Sequence, residues 1–183
     1  MDFPGGNTPL PVLLHTFTRW GVVADYFALQ ANLTPASSTW PVANTAFYLP
    51  MYIPFPYPVR RIFWFNGSSV TSTNMDAGIY SESGVRLYST GSVAASGVSA
   101  LQYVSLGTEL LLMPGRYYFA LADSSTTANR GGQAAAGTVS RNRQVGILQE
   151  ASALPLPANM TGAQVANAYV PVVGVTRYAS GFA

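Results

Sequence analysis

Apolar and polar residues alternate in short runs along this chain, and Gly, Pro, Asn and Ser separate the runs. That spacing predicts strands joined by turns rather than helices. Val59 to Phe65 is the strongest strand, with Trp64 on its core side, and Asn66-Gly67 after it is the clearest turn signal. Met75–Ser81 and Val85–Thr90 flank Glu82-Ser83-Gly84 and predict a hairpin. Ala100–Leu106 alternates Leu101, Tyr103, Val104 and Leu106 with polar partners. Leu110–Met113 then leads through Pro114-Gly115 into a strand over Arg116–Ala122. Ala46–Ile53 is a further strand, and Gln144–Ala153 and Tyr169–Tyr178 supply the last ones. Val12–Leu29 is rich in β-formers and predicts a strand pair broken near Gly21, with a short helix over Val23–Gln30 as the alternative.

The segments between these runs set the domain plan. Met1–Pro11 holds Pro4, Gly5, Gly6, Pro9 and Pro11, a composition that suits neither a helix nor a central strand. It predicts an extended arm over residues 1–11, followed by a single β-sandwich domain over 12–183. Thr34–Pro41 is turn-rich. Pro50, Pro54, Pro56 and Pro58 belong to a sheet edge or an extended crossing segment. Ser124–Arg143, made largely of Ser, Thr, Ala, Gly and Asn, is expected to be a long exposed loop or insertion with room for one helical turn. The fold class expected is all-β: an antiparallel β-sandwich or jelly roll with an extended Pro/Gly-rich N-terminal arm.

Composition narrows the function. The chain has 183 residues and no Cys, so disulfides, thiolate metal sites and a cysteine nucleophile are excluded. Charged residues make up 9% of it, with a net charge of +2. A soluble domain averages about 25%. A surface this poor in charge suits burial against other chains, so a homo-oligomer is expected, with a trimer the first guess. All nine basic residues are Arg, the cation best suited to interfaces, although codon usage alone would also give that bias. Met1–Gly6 lacks the basic start and apolar run of a signal peptide, and no run of about 18 apolar residues occurs, so neither secretion nor a membrane partner is expected.

Catalytic chemistry finds little support. The single His, His15, lies in the apolar run Leu13–Phe17, where packing explains it. No G-x-S-x-G elbow occurs. The acids are Asp2, Asp25, Asp76, Glu82, Glu109, Asp123 and Glu150, and no spacing marks two of them as a pair across a sugar. Asp76, Glu82, Glu109 and Asp123 fall near predicted strand ends, where calcium ligands can gather, but solvated turn residues and caps are the preferred reading of them. Gly131-Gly132 lacks the Lys of a phosphate loop. Strict alternation puts Arg60 and Arg61 on opposite faces of a strand, which is no groove-reading surface, so direct nucleic-acid binding is not expected. No enzyme activity and no cofactor are expected.

Surface recognition remains. Candidate partner-contact residues are Phe3, Pro4 and Leu10 of the arm and Arg130, Arg141 and Arg143 of the long loop. The abundant aromatics offer a second kind of site: Trp40, Tyr52, Tyr57 and Tyr88 as platforms for apolar sugar faces, against the ordinary reading of core and interface packing.

One set of phrases is more particular. Asp76-Ala77-Gly78-Ile79-Tyr80 is followed by Gly84-Val85-Arg86-Leu87 and Ser89-Thr90-Gly91. Later come Leu112-Met113-Pro114-Gly115-Arg116-Tyr117-Tyr118-Phe119-Ala120-Leu121 and Leu154-Pro155-Leu156-Pro157-Ala158. Over roughly residues 44–178 this resembles β-sandwich modules in structural proteins of tailed bacteriophages, including capsid decoration, tail and receptor-binding components. The resemblance implies a rigid module in a virion, made in the host cytoplasm, whose partners are major capsid or tail proteins. It carries over no catalytic residue. A glycan-binding host-recognition module is the alternative.

Overall fold

The structure, a computed structural model, describes residues 16–17, 22–25, 36–71, 73–134 and 138–179. The predicted arm, with Phe3, Pro4 and Leu10, lies outside these residues, as does His15. The described chain is mostly β, as its alternating pattern predicts, and its antiparallel sheets pack together.

The first sheet is built from β1 (Thr16–Phe17), β2 (Val22–Asp25), β15 (Val173–Thr176), β5 (Tyr57–Phe65) and β9 (Leu101–Leu112), in that spatial order. The second runs β13 (Ala163–Gln164), β12 (Leu148–Glu150), β4 (Thr45–Ile53), β10 (Gly115–Asp123), β6 (Asn74–Ser81) and β7 (Arg86–Ser89), and β8 (Val93–Ala94) also pairs with β6. A small third sheet joins β14 (Tyr169–Pro171), β11 (Asn129–Ala134) and β3 (Ala36–Thr39). The seven-residue helix α1 (Thr138–Gln144) precedes β12.

Alternation determines which side chains meet between the sheets. Phe47, Leu49, Met51 and Ile53 of β4, Met75, Ala77 and Ile79 of β6 and Phe119 and Leu121 of β10 face one way. They pack into a single core with Tyr57, Val59, Ile62 and Trp64 of β5 and Val173 and Val175 of β15. The alternation of β5 is interrupted at its arginines. Val59 pairs with Leu110 but Arg61 pairs with Ser105, a register shift that swells β9 opposite Arg60. Val59 and Ile62 can then both face inward, and neither Arg enters the core. Arg60 is exposed and Arg61 lies over the Tyr103 ring, 5.8 Å from its centroid. Strict alternation of Arg60-Arg61-Ile62 therefore fails at this irregularity, where the core residues Val59 and Ile62 are separated by two residues instead of one.

The back of the second sheet is covered too. Tyr48, Tyr80, Ala46, Ala120 and Ala122 point away from the main core and are buried under Ala153 and Leu156, with Leu154 and Met160 packed alongside. The Pro-rich stretch after β12 thus lies across the sheet as a strap.

Several boundaries differ from the expectation. The proposed loop at 124–143 contains a strand, Asn129–Ala134 (β11), beside the helical segment expected there, which is α1 at Thr138–Gln144. β11 is possible because of Gly131 and Gly132. A Cβ on Gly131 would collide with the Phe65 side chain, and one on Gly132 would lie 2.6 Å from the Val170 carbonyl oxygen. The turn-rich Thr34–Pro41 contains β3, and the last run, Tyr169–Tyr178, splits between two sheets. The split falls at Val172, whose N–H donates to the Gly131 carbonyl while its own carbonyl accepts from Phe65. Asn66-Gly67 makes no hairpin, since β5 and β6 belong to different sheets. Gly67 instead lets the chain pass close to Asn129, where a Cβ would lie 2.9 Å from the backbone. Pro50 is tolerated inside β4 because β12 pairs with that strand only at Ala46–Tyr48, leaving Pro50 at a local edge.

Candidate interaction surface

Three of the phrases singled out in the sequence meet at one carboxylate. Asp76 is fully buried at the start of β6. It accepts hydrogen bonds from Ser89 Oγ at 2.8 and 2.9 Å, from Thr90 Oγ1 at 3.0 Å and from the Leu156 N–H at 2.9 Å. The Asp76–Tyr80, Ser89–Gly91 and Leu154–Ala158 phrases are therefore one construction, which ties strap to hairpin. Gly78 completes it. A Cβ there would lie 2.7 Å from Leu156 Cδ1 and 2.9 Å from the Tyr88 carbonyl oxygen. Arg86 adds a hydrogen bond to the Leu156 carbonyl, and Tyr80 donates to the Pro157 carbonyl at 2.7 Å. Tyr48 donates to Glu150 Oε2 at 2.8 Å, and burial foremost, then this bond, raises its phenol well above the ordinary value. Every acceptor position named at Asp76 is directed at holding the chain, and the role is mechanical.

The candidate contact residues from the long segment separate. Arg130 is fully buried in β11 and is no interface residue. Its Nε lies 2.7 Å from Asp123 Oδ2, its terminal nitrogens donate to Thr73 Oγ1 at 2.5 Å and to the Asn129 carbonyl at 2.9 Å, and both charged side chains are at 0% exposure. Burial pushes the Asp123 carboxyl up and the Arg130 guanidinium down, and the attraction of each for the other opposes both changes. Arg141 and Arg143 stand exposed on α1, where Arg143 Nε donates to the Val165 carbonyl at 2.9 Å.

The four aromatics proposed for a sugar do not assemble. Trp40 is 1% exposed, wedged against Phe47 and Tyr169 at ring distances of 5.1 and 5.3 Å, and donates to the Thr45 carbonyl. Tyr57 is a core residue at 3%. Tyr88, opposite Ile79, packs on the main core, whereas Tyr52, between core residues Met51 and Ile53, points the other way. The four acids considered for calcium are likewise engaged apart: Asp76 in the strap, Asp123 with Arg130, Glu109 with Arg60 at 2.7 Å and Glu82 with Arg116 at 3.5 Å.

A surface that the sequence did not single out lies at one end of the sandwich. Residues 54–56 carry the chain from β4 to β5, and residues 113–114 carry it from β9 to β10. Ile53 pairs with Gly115 in one sheet and Tyr57 with Leu112 in the other, so the two crossings run side by side. Here Phe55 is 46% exposed, and Leu111 and Met113 are each 54% exposed, with Pro56 and Pro114 exposed beside them. One ion pair flanks this tip on each sheet, Arg60–Glu109 on the first and Arg116–Glu82 on the second. The outcome is an apolar centre with a small, charge-balanced rim, the anatomy of a protein contact. The available signal was the run of prolines between two strong strands, which keeps Phe55 out of any ladder.

No protein-family model matches the chain, and no curated protein sequence is significantly similar to it.

Proposed function

We propose that this protein is a non-enzymatic structural component of a bacteriophage particle, of the capsid-decoration or tail-associated kind, that bridges neighbouring subunits. The observation that carries the reading is the exposed apolar tip of Phe55, Leu111 and Met113 on a chain with only 9% charged residues. Large apolar side chains gathered at one end of a sandwich gain by covering one another's surface with a partner. The motif phrases support the same reading, because their hydrogen bonds brace a strap and a hairpin into one rigid body. A bracing element suits a part whose work is mechanical. The resemblance of those phrases to phage sandwich modules supplies the particle as the setting.

The test is mass spectrometry of purified particles of the phage that encodes the chain. Peptides from it are expected at copy numbers commensurate with a capsid or tail symmetry. Particles that lack it, from infections in which it is expressed, would overturn the proposal.

A further inference from the structure

We infer that the tip formed by residues 54–56 and 111–114 is a self-docking surface, which meets the same tip of a second copy of this chain across a two-fold axis. The inference deepens the structural reading above and takes its setting from it. Two features of the tip select a second copy.

The first is charge complementarity. Each flank carries one Arg and one Glu, and all four side chains remain well exposed, at 53% and 42% for Arg60 and Glu109 and 59% and 63% for Arg116 and Glu82. The contact of Arg60 uses Nε and one carboxylate oxygen, and that of Arg116 uses one terminal nitrogen. A guanidinium has five N–H donors and a carboxylate about four acceptor positions, so each can take a second partner. A two-fold axis brings a patch against itself. With equal numbers of Arg and Glu on the rim, the Arg of one copy can face the Glu of the other without net repulsion. An anionic membrane surface fits less well, because Glu82 and Glu109 would be pressed against like charge.

The second is the form of the apolar centre. Phe55 is held between two prolines, a stiff anchor, while Met113 is unbranched and adapts to what it meets. Three such side chains cover far less than the roughly 800 Å² per partner of a standard interface. The pairing is therefore weak between free copies and becomes effective where a lattice holds many copies near one another.

Sedimentation of the purified chain over a wide concentration range tests this. The weight-average mass is expected to rise toward the dimer at the top of the range, and Phe55→Ser with Met113→Ser should weaken the association about tenfold or more. The decisive arm uses two charge variants. Glu82→Arg with Glu109→Arg makes an all-Arg rim, and Arg60→Glu with Arg116→Glu makes an all-Glu rim. Each alone should stay monomeric, and an equal mixture should associate. Circular dichroism confirms that every variant is folded, which is expected because all these positions are exposed. A mixture that stays monomeric overturns the inference, as does a trimer or a wild-type chain that remains monomeric throughout. Binding of the monomer to vesicles of anionic lipid through Phe55 and Met113 overturns it in favour of a membrane. If tip variants lose attachment to particles while the wild type never self-associates, the tip faces a different virion protein. Self-docking then fails although the particle reading stands, whereas absence from particles removes that reading by itself.

Discussion

Arg130 and Asp123 show how much a single buried contact can depend on its partner. Both side chains are fully enclosed, their charged atoms 2.7 Å apart, with Thr73 Oγ1 accepting from Arg130 and the Ser125 N–H donating to Asp123. Removing one charge strands the other in a dry interior, whereas removing both removes the problem. Asp123→Asn or Arg130→Met is therefore expected to cost about 3–5 kcal/mol. The double substitution Asp123→Leu with Arg130→Met is expected to cost clearly less than the sum, as read by urea denaturation. Sequence reasoning placed Arg130 on an exposed loop because Asn-Arg-Gly-Gly-Gln-Ala has the composition of one. The acid that neutralises it comes from the end of the preceding strand. Phe65 and Tyr169 pack closely against the two glycines that follow it. Phe65 and Tyr169 lie far away along the chain, so the composition around Arg130 does not show that it is enclosed. Trp40 and Tyr57 follow the ordinary reading of core packing and not the sugar-platform alternative, because their packing partners, distant in sequence, enclose them.

At the scale of elements, the strap and the hairpin beneath it depend on one missing side chain. Gly78 has the Leu156 methyl and the Tyr88 backbone oxygen within 3 Å of where a Cβ would stand. The methyl can move but the carbonyl belongs to a paired strand and cannot. Gly78→Ala is expected to destabilise the fold by about 1–3 kcal/mol. Gly107→Ala, on the swollen part of β9 with nothing within 4 Å, should change stability by no more than about 0.5 kcal/mol. Thermal melts of the two variants, made side by side, would settle it; equal effects would mean that the strap does not press on β6. Most elements were legible. The hairpin of Met75–Ser81 and Val85–Thr90, the strand after Pro114-Gly115 and the core place of Trp64 all follow from alternation and turn chemistry. What alternation could not show is where a ladder slips. The strand expected at Ala100–Leu106 runs on through Leu110–Leu112 as one strand, β9, whose extra residues sit in a bulge. The tip was missed because periodicity locates what is paired, and its residues lie just where pairing stops.

Across the whole molecule, tyrosines tie the layers together. Tyr57 and Tyr169 belong to the main core, while Tyr48 and Tyr80 lie under the strap. Burial is the largest cause raising all four phenols above their ordinary value of about 10. In the unfolded chain they ionise near that ordinary value, but in the folded chain they hold their protons. The folded state then binds more protons than the unfolded state once the pH passes about 10. Stability from this source is complete below that pH and is lost as the pH climbs toward the raised folded values. Denaturation midpoints should therefore be insensitive to these groups at neutral pH and fall steeply above pH 10. Phenolate absorbance for the four should appear together with unfolding rather than before it. A smooth titration in the native state would show that the layers admit water.

β15 sits in the middle of its sheet, between β2 and β5, and all four of its residues are buried. Gly174 pairs with Ala24 on one side and with Phe63 on the other. A ribosome therefore makes β2 and β5 long before the strand that must lie between them. While translation is under way, β4, β6 and β10 of the opposite sheet already exist, and their apolar face has only part of its cover. A chain cut short before Val173 is left with a gap in the middle of a sheet, not a frayed edge. Interrupted synthesis should thus yield a sticky product that proteases and chaperones can recognise, and only completed copies have a sealed core.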